Sequence, residues 1–145
     1  EGGDMSTKTV GLNQICGHRF LGANEDGDKL MVDGDAPATG MGPTDLLLAA
    51  LGACTAYDVI DIMKKKRQPL AQYRIEVMGT QADEHPRRFV HIAVTHYGAG
   101  PDVTEKALAR SAELSHTRYC PVAASLNADI EIKTVVEPWL PAEDS

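Results

Sequence analysis

The segment Leu46-Leu47-Leu48-Ala49-Ala50-Leu51-Gly52-Ala53-Cys54 restricts the fold of this chain more than any other feature. It follows Pro43-Thr44-Asp45, a helix-start signature. Proline is tolerated where no amide donor is needed, and an acid complements the positive end of the helix dipole. The helix should run to Lys64-Lys65-Lys66-Arg67, whose charges suit its negative end, and Pro69 blocks extension. At about 24 residues it would be about 36 Å long. Its first half is apolar on every side, and a helix apolar all round has to be buried. The chain has 145 residues, one domain's worth, and a domain of that size has a limited core to offer. A second copy of the chain would supply the missing cover.

The remaining pattern is of strands and shorter helices. Val10, Leu12 and Ile15, then Phe20, then Leu30 and Val32, alternate with polar positions between glycines, with Asp26-Gly27 as a hairpin turn. Pro37, Gly40 and Gly42 mark a loop. Two more strands carry Tyr73, Ile75 and Val77, and Phe89, Val90, Ile92 and Val94, joined through a turn at Asp83-Glu84-His85-Pro86. Asp102-Val103-Thr104-Glu105 reads as a capping box before a helix from Val103 to about His116, with Ala107, Leu108, Ala112 and Leu114 inward. Pro121 opens a short helix with Cys120 at its N-cap, and Ile130, Ile132 and Val135 form a last strand. The whole is an α+β fold in a single domain, 1–145. Within it, residues 1–4 ahead of Met5 read as a remnant of expression, and 138–145 as a loose tail.

The net charge of −7 argues against nucleic acid as a partner, because neutralising phosphates requires a basic surface. The most apolar stretch, 46–56, is about half the roughly 20 residues of a membrane span, so no membrane association is expected. The polar, acidic N-terminus shows no secretory pattern, so a cytoplasmic location is expected. Three cysteines, Cys16, Cys54 and Cys120, are too far apart for a disulfide scaffold and contain no CxxC. In the cytosol such thiols stay reduced unless they do redox work.

Cys120 precedes a helix whose first residue is Pro121, and His116 and Arg118 lie just before it. A helix N-terminus favours a thiolate, so local chemistry makes Cys120 the more easily ionised thiol. The plain alternative is a capping cysteine with no chemistry. Cys54 lies mid-helix, with Ala50, Leu51, Tyr57 and Asp58 at helical spacing. Nothing there activates a thiol, so Cys54 is either a core cysteine or one served by a group from elsewhere in the fold. Tyr57 and Asp58 read as packing or interface residues, and Cys16 as incidental. His85, His91 and His96 fall on or beside strands, where a solvated or satisfied histidine is the default. A metal site from Cys54, Cys120 and His116 is a further possibility, though structural zinc sites draw on tighter ligand pairs.

The run 42–59, GPTDLLLAALGACTAYDV, resembles the central helix of the OsmC/Ohr family, and Arg118-Tyr119-Cys120-Pro121-Val122 resembles its second cysteine motif. The resemblance extends from about Lys8 to Glu137. Asp58-Val59 and Arg87-Arg88-Phe89 with His91 are similar to the YhfA-like OsmC branch. It implies an intertwined homodimer with long central helices packed between β-sheets and active sites at the subunit interface. It implies a thiol peroxidase for oxidative-stress defence: Cys54 reduces an organic hydroperoxide, Cys120 resolves the product to a disulfide, and a dithiol or lipoyl group restores both. No cofactor or metal is implied. The family's hydroperoxide reductases carry a Glu directly after the helix-start proline, paired with an activating Arg. Here that position is Thr44 and the acid is Asp45, one residue on, about 100° around the helix. Arg19 is the candidate for the activating role, with Thr44 and Asp45 as supporting residues. The alternative to an enzyme is a binding or stress protein that keeps the fold with little or no catalysis.

Overall fold

The computed structural model describes residues 5–141, and its contacts divide between residues up to Leu47 and those from Leu48 onward. The first part is an antiparallel sheet of β1 (Val10–Cys16), β2 (Arg19–Asn24) and β3 (Lys29–Asp33) in sequential order. The hairpin turn falls at Asp26-Gly27 as its sequence implies. Asn24 Oδ1 accepts from the amides of Asp26 and Asp28, and Gly27 has φ +88°, a conformation suited to glycine. β1 is exposed along its whole length.

Helix α1 (Pro43–Lys65) has the start that Pro43 and Asp45 imply and ends two residues before Arg67. Arg67 takes φ +61°, its amide bonds the Lys64 carbonyl, and the Gln68 amide bonds that of Met63. This is a Schellman ending with arginine in the usual glycine place. The helix as a whole is long and apolar enough to cross a membrane, which corrects the shorter estimate made from 46–56 alone. Its buried residues Leu51, Gly52, Thr55, Ala56, Val59 and Met63 identify it instead as a core helix with one covered face. Leu47, Tyr57 and Ile60 are exposed. The all-round burial expected from the sequence is therefore not met within one chain.

The second sheet runs β4 (Gln72–Gln81), β5 (Phe89–Ala99), β6 (Asp129–Val136), with β4 antiparallel and β6 parallel to the central β5. A parallel neighbour requires a crossover. Here it is α2 (Glu105–Leu114), a π-turn at Ser115–Tyr119 and the one-turn α3 (Pro121–Ser125). Alternate β5 residues Ile92, Val94 and His96 point into the core. Ile92 and Val94 join Leu51, Cys120 and Ala123 in one cluster, and Val59, Met63, Ala107, Leu108 and Ala112 form a second. Close approach of α1 to the sheet depends on Gly52, where a Cβ would lie 2.9 Å from the Val77 side chain.

Two boundaries differ from the sequence reading. The N-cap of α2 is Thr104, not Asp102: its Oγ1 accepts from the Ala107 amide at 3.2 Å. Gln68 Oε1, brought in by the end of α1, accepts from both the amide and the hydroxyl of Thr104, a tertiary contact that settles the register. Residues 138–141 are without regular structure, and Leu140 is exposed. The suggested remnant at 1–4 lies outside the described residues, as does 142–145.

Candidate active site

Cys120 is the N-cap of α3, as its place before Pro121 implies. Its backbone is extended, and its sulfur accepts from the Ala123 amide at 3.3 Å. Cys54 projects from mid-helix α1 toward the same cluster, half-buried, while Cys120 is buried. Both side chains pack in one apolar cluster, so the fold brings together two cysteines that are remote in sequence.

The electrostatics of Cys120 reverse the local expectation. Burial pushes its thiol up to about 11, the neighbouring Cys54 adds to this, and the Ala123 and Val122 amides oppose it only in part. A five-residue helix has little dipole to offer, and desolvation of a buried thiolate costs more than two amides return. His116 and Arg118 are not among the groups that act on it. Cys120 is thus the thiol that keeps its proton.

Ser115, which has no sequence signal, and Asp58, read from the sequence as a packing or interface residue, complete the surroundings. In the π-turn the Cys120 amide reaches back to the Ser115 carbonyl at 2.8 Å. The buried Ser115 hydroxyl lies 2.8 Å from Asp58 Oδ2 and 3.2 Å from the Thr55 carbonyl. Thr55 directly follows Cys54, and Asp58 is one turn beyond it. His116 Nδ1 is buried with no partner. Among the described residues no three His, Cys, Asp or Glu side chains gather as a metal set, so His116 does not join the two cysteines as ligands.

The remaining candidates lie in the first part of the chain. Arg19 Nε donates to Asp33 Oδ2 at 2.8 Å, and its Nη atoms reach Cys16 Sγ at 3.9 Å and the Pro37 carbonyl at 3.4 Å. Asp33 is buried and also accepts from the amide and hydroxyl of Thr39 and from the Asp35 amide. The Thr39 and Asp35 amides, ahead of Arg19, hold its carboxyl well below the usual range. The acid that Arg19 meets is therefore Asp33, which sequence reading passed over. Thr44 and Asp45 are exposed in the first turn of α1, and Asp45 lines an open pocket with Asp33, Asp35 and Gly42.

The chain matches the OsmC-like protein family over residues 34–135. It belongs to the OsmC-like family. That span contains both cysteines of the site and the elements that position them. Protein YhfA of Escherichia coli K12 is 33% identical over 118 residues, covering 81% of this chain and 88% of that one. A hypothetical protein from Aquifex aeolicus VF5 superposes with a TM-score of 0.82 at 31% identity, covering 92% of this chain and 98% of its own. The organic hydroperoxide resistance protein OhrB of Bacillus subtilis shares the OsmC-like fold at a TM-score of 0.60 and 18% identity, covering 91% and 98%.

Proposed function

We propose that this OsmC-like protein is a thiol peroxidase that reduces organic hydroperoxides through Cys54 and Cys120. The observation that carries the reading is the packing of both cysteines in one apolar cluster, with Cys120 buried and Cys54 half-buried. Cys54 is the more accessible of the two thiols, so Cys54 attacks. Its thiolate sulfur bonds to the terminal peroxide oxygen as the O–O bond breaks, giving Cys54 sulfenic acid and an alkoxide that takes up a proton to leave as the alcohol. The Cys120 sulfur then displaces water from the sulfenic acid to form the disulfide. A small dithiol or lipoyl group takes the oxidising equivalents by exchange, returning both thiols. Leu48, Leu51 and Phe89 around the pair favour an alkyl over a hydrogen peroxide substrate. The name of the Bacillus fold neighbour, an organic hydroperoxide resistance protein, agrees with that substrate class.

The working unit in this reading is a homodimer in the cytoplasm. The exposed apolar residues of α1 and β1 support it, since a single chain leaves them to water. Arg19, Thr44 and Asp45 belong to the reading as supporting residues.

Purified protein should consume cumene hydroperoxide with a dithiol, and Cys54→Ser should abolish turnover. Equal turnover by that variant would overturn the assignment. One observation favours a second reading, a binding protein with weak or no catalysis: no cation is among the groups that shift Cys120. That reading requires mass spectrometry to find no Cys54–Cys120 disulfide after stoichiometric hydroperoxide.

A further inference from the structure

We infer that Ser115 and Asp58 form a positioning clasp that sets the closure of the Cys54–Cys120 pair, an inference that rests on the redox role of the pair proposed above. Cys120 is not carried on a long helix of its own. It ends a five-residue π-turn and caps a five-residue helix, two short elements with little stiffness. Beside the apolar packing of Cys120 and Ala123 with Leu51, one buried hydroxyl hydrogen-bonds them to the helix of Cys54. Ser115 Oγ has a single proton and two acceptors on α1, Asp58 Oδ2 at 2.8 Å and the Thr55 carbonyl at 3.2 Å. The same residue's carbonyl receives the Cys120 amide at 2.8 Å. Ser115 is therefore bonded on one side to the turn of α1 that follows Cys54, and on the other to the backbone of Cys120.

The π-turn is what makes this arrangement possible. A regular α-helix would pair each amide with the carbonyl four residues back, whereas the π-turn pairs Cys120 with Ser115, five back. The extra residue lets α2 deliver the Ser115 hydroxyl to α1 and still release the chain at Cys120 into α3. A carboxylate acceptor makes the clasp a charge-assisted bond, roughly twice as strong as a neutral one. Ser115 is fully buried, so water cannot replace the bond if it is lost.

Resolution is the step that feels this. Cys54–SOH and Cys120–SH become a disulfide and water only when the two sulfurs meet in line, and a shift of about 1 Å can cost on the order of 100-fold. Attack of Cys54 on a diffusing peroxide makes no such demand on Cys120. Loss of the clasp should therefore divide the two steps.

The test uses full-length wild type, Ser115→Ala, Ser115→Thr and Asp58→Asn. Each reacts with stoichiometric cumene hydroperoxide, followed by rapid quench, trapping of sulfenic acid with dimedone, and mass spectrometry. In Ser115→Ala, peroxide loss should stay within about twofold, while disulfide formation falls about tenfold or more and trapped Cys54 sulfenic acid rises. Ser115→Thr should restore closure, and Asp58→Asn, which keeps an acceptor but no charge, should fall between. If Ser115→Ala does not fold, the ordering of wild type, Ser115→Thr and Asp58→Asn carries the test. Disulfide closure at the wild-type rate in the alanine and asparagine variants would overturn the clasp. A parallel arm oxidises the pair with diamide, which accepts the two electrons and two protons. Slower closure there supports the clasp even if wild type leaves hydroperoxide untouched, an outcome that would overturn only the peroxidase reading.

Discussion

Strand β1 of the first sheet is exposed at every position, whereas strand β5 of the second has no exposed position. Both sheets have three strands and alternating apolar residues. In β1, Val10, Leu12 and Ile15 are 66%, 58% and 52% exposed. In β5, Ile92, Val94 and His96 are fully buried, alongside residues of α1 and α2. The difference teaches that an alternating pattern reports a face in need of cover and not what covers it. The second sheet finds its cover in its own chain, and Cys54 and Cys120 lie with that covered core. The first sheet leaves apolar surface open, as does the outer face of α1.

The largest expected effect tests the covered side. Leu51 is fully buried in the cluster that holds Cys120. Leu51→Ala should cost about 3 kcal/mol by transfer and cavity terms together, read by chemical denaturation at several protein concentrations. A loss below about 1 kcal/mol would mean that the second sheet is not the stable core.

Next in size is a pH effect from the same core. His96 accepts or donates at 2.7 Å with the Tyr73 hydroxyl, while its Nε2 has no partner. Burial lowers it from 6.5 to about 4. The unfolded chain takes up the proton near pH 6.5 and the folded chain only near 4, so the unfolded state binds more protons between these values. Stability should therefore be level above about pH 6.5, decline below it and level off again below about 4, a loss on the order of 3 kcal/mol. Thermal melts across that range should show the decline, and His96→Gln should flatten it. An unchanged slope in the variant would assign the pH dependence to other groups.

Gly52→Ala should have a smaller effect, because two terms oppose. The added methyl meets Val77 at 2.9 Å, an overpacking cost of about 1–3 kcal/mol, whereas alanine gains about 1 kcal/mol in helix propensity. A net loss of about 1 kcal/mol is expected from denaturant midpoints, and a gain in stability would show that α1 can move off the sheet.

Smallest for the stability of one chain, and most telling for the open sheet, is Leu12→Asn. A substitution at a surface position should change monomer stability by no more than about 0.5 kcal/mol. Sedimentation should instead show weakened self-association. Unaltered association would mean that β1 is not part of the subunit contact.

Much of this molecule is legible in its residues. Pro43 and Asp45 mark the start of α1, Asp26-Gly27 marks the β2–β3 hairpin, Pro121 makes Cys120 a cap, and the motifs around both cysteines lead to the family. These are local matters, decided by backbone dihedrals, a missing amide or an unbroken run of side chains. The α2 cap was misread because Thr104 is chosen over Asp102 by Gln68, a residue from another helix. Asp33 was missed because a lone Asp at a strand end has no pattern until Arg19 and Thr39 surround it.

The two cysteines show where the division lies. Sequence alone determined that Cys120 caps a helix and that Cys54 sits within a long apolar one. Only the tertiary structure decided that the thiols are neighbours, that Cys120 keeps its proton, and that Ser115 ties the two segments together. Capping depends on a few adjacent dihedrals, but the charge state of a thiol depends on how much water the rest of the fold removes. For Cys120 that desolvation outweighs the amides its own helix provides.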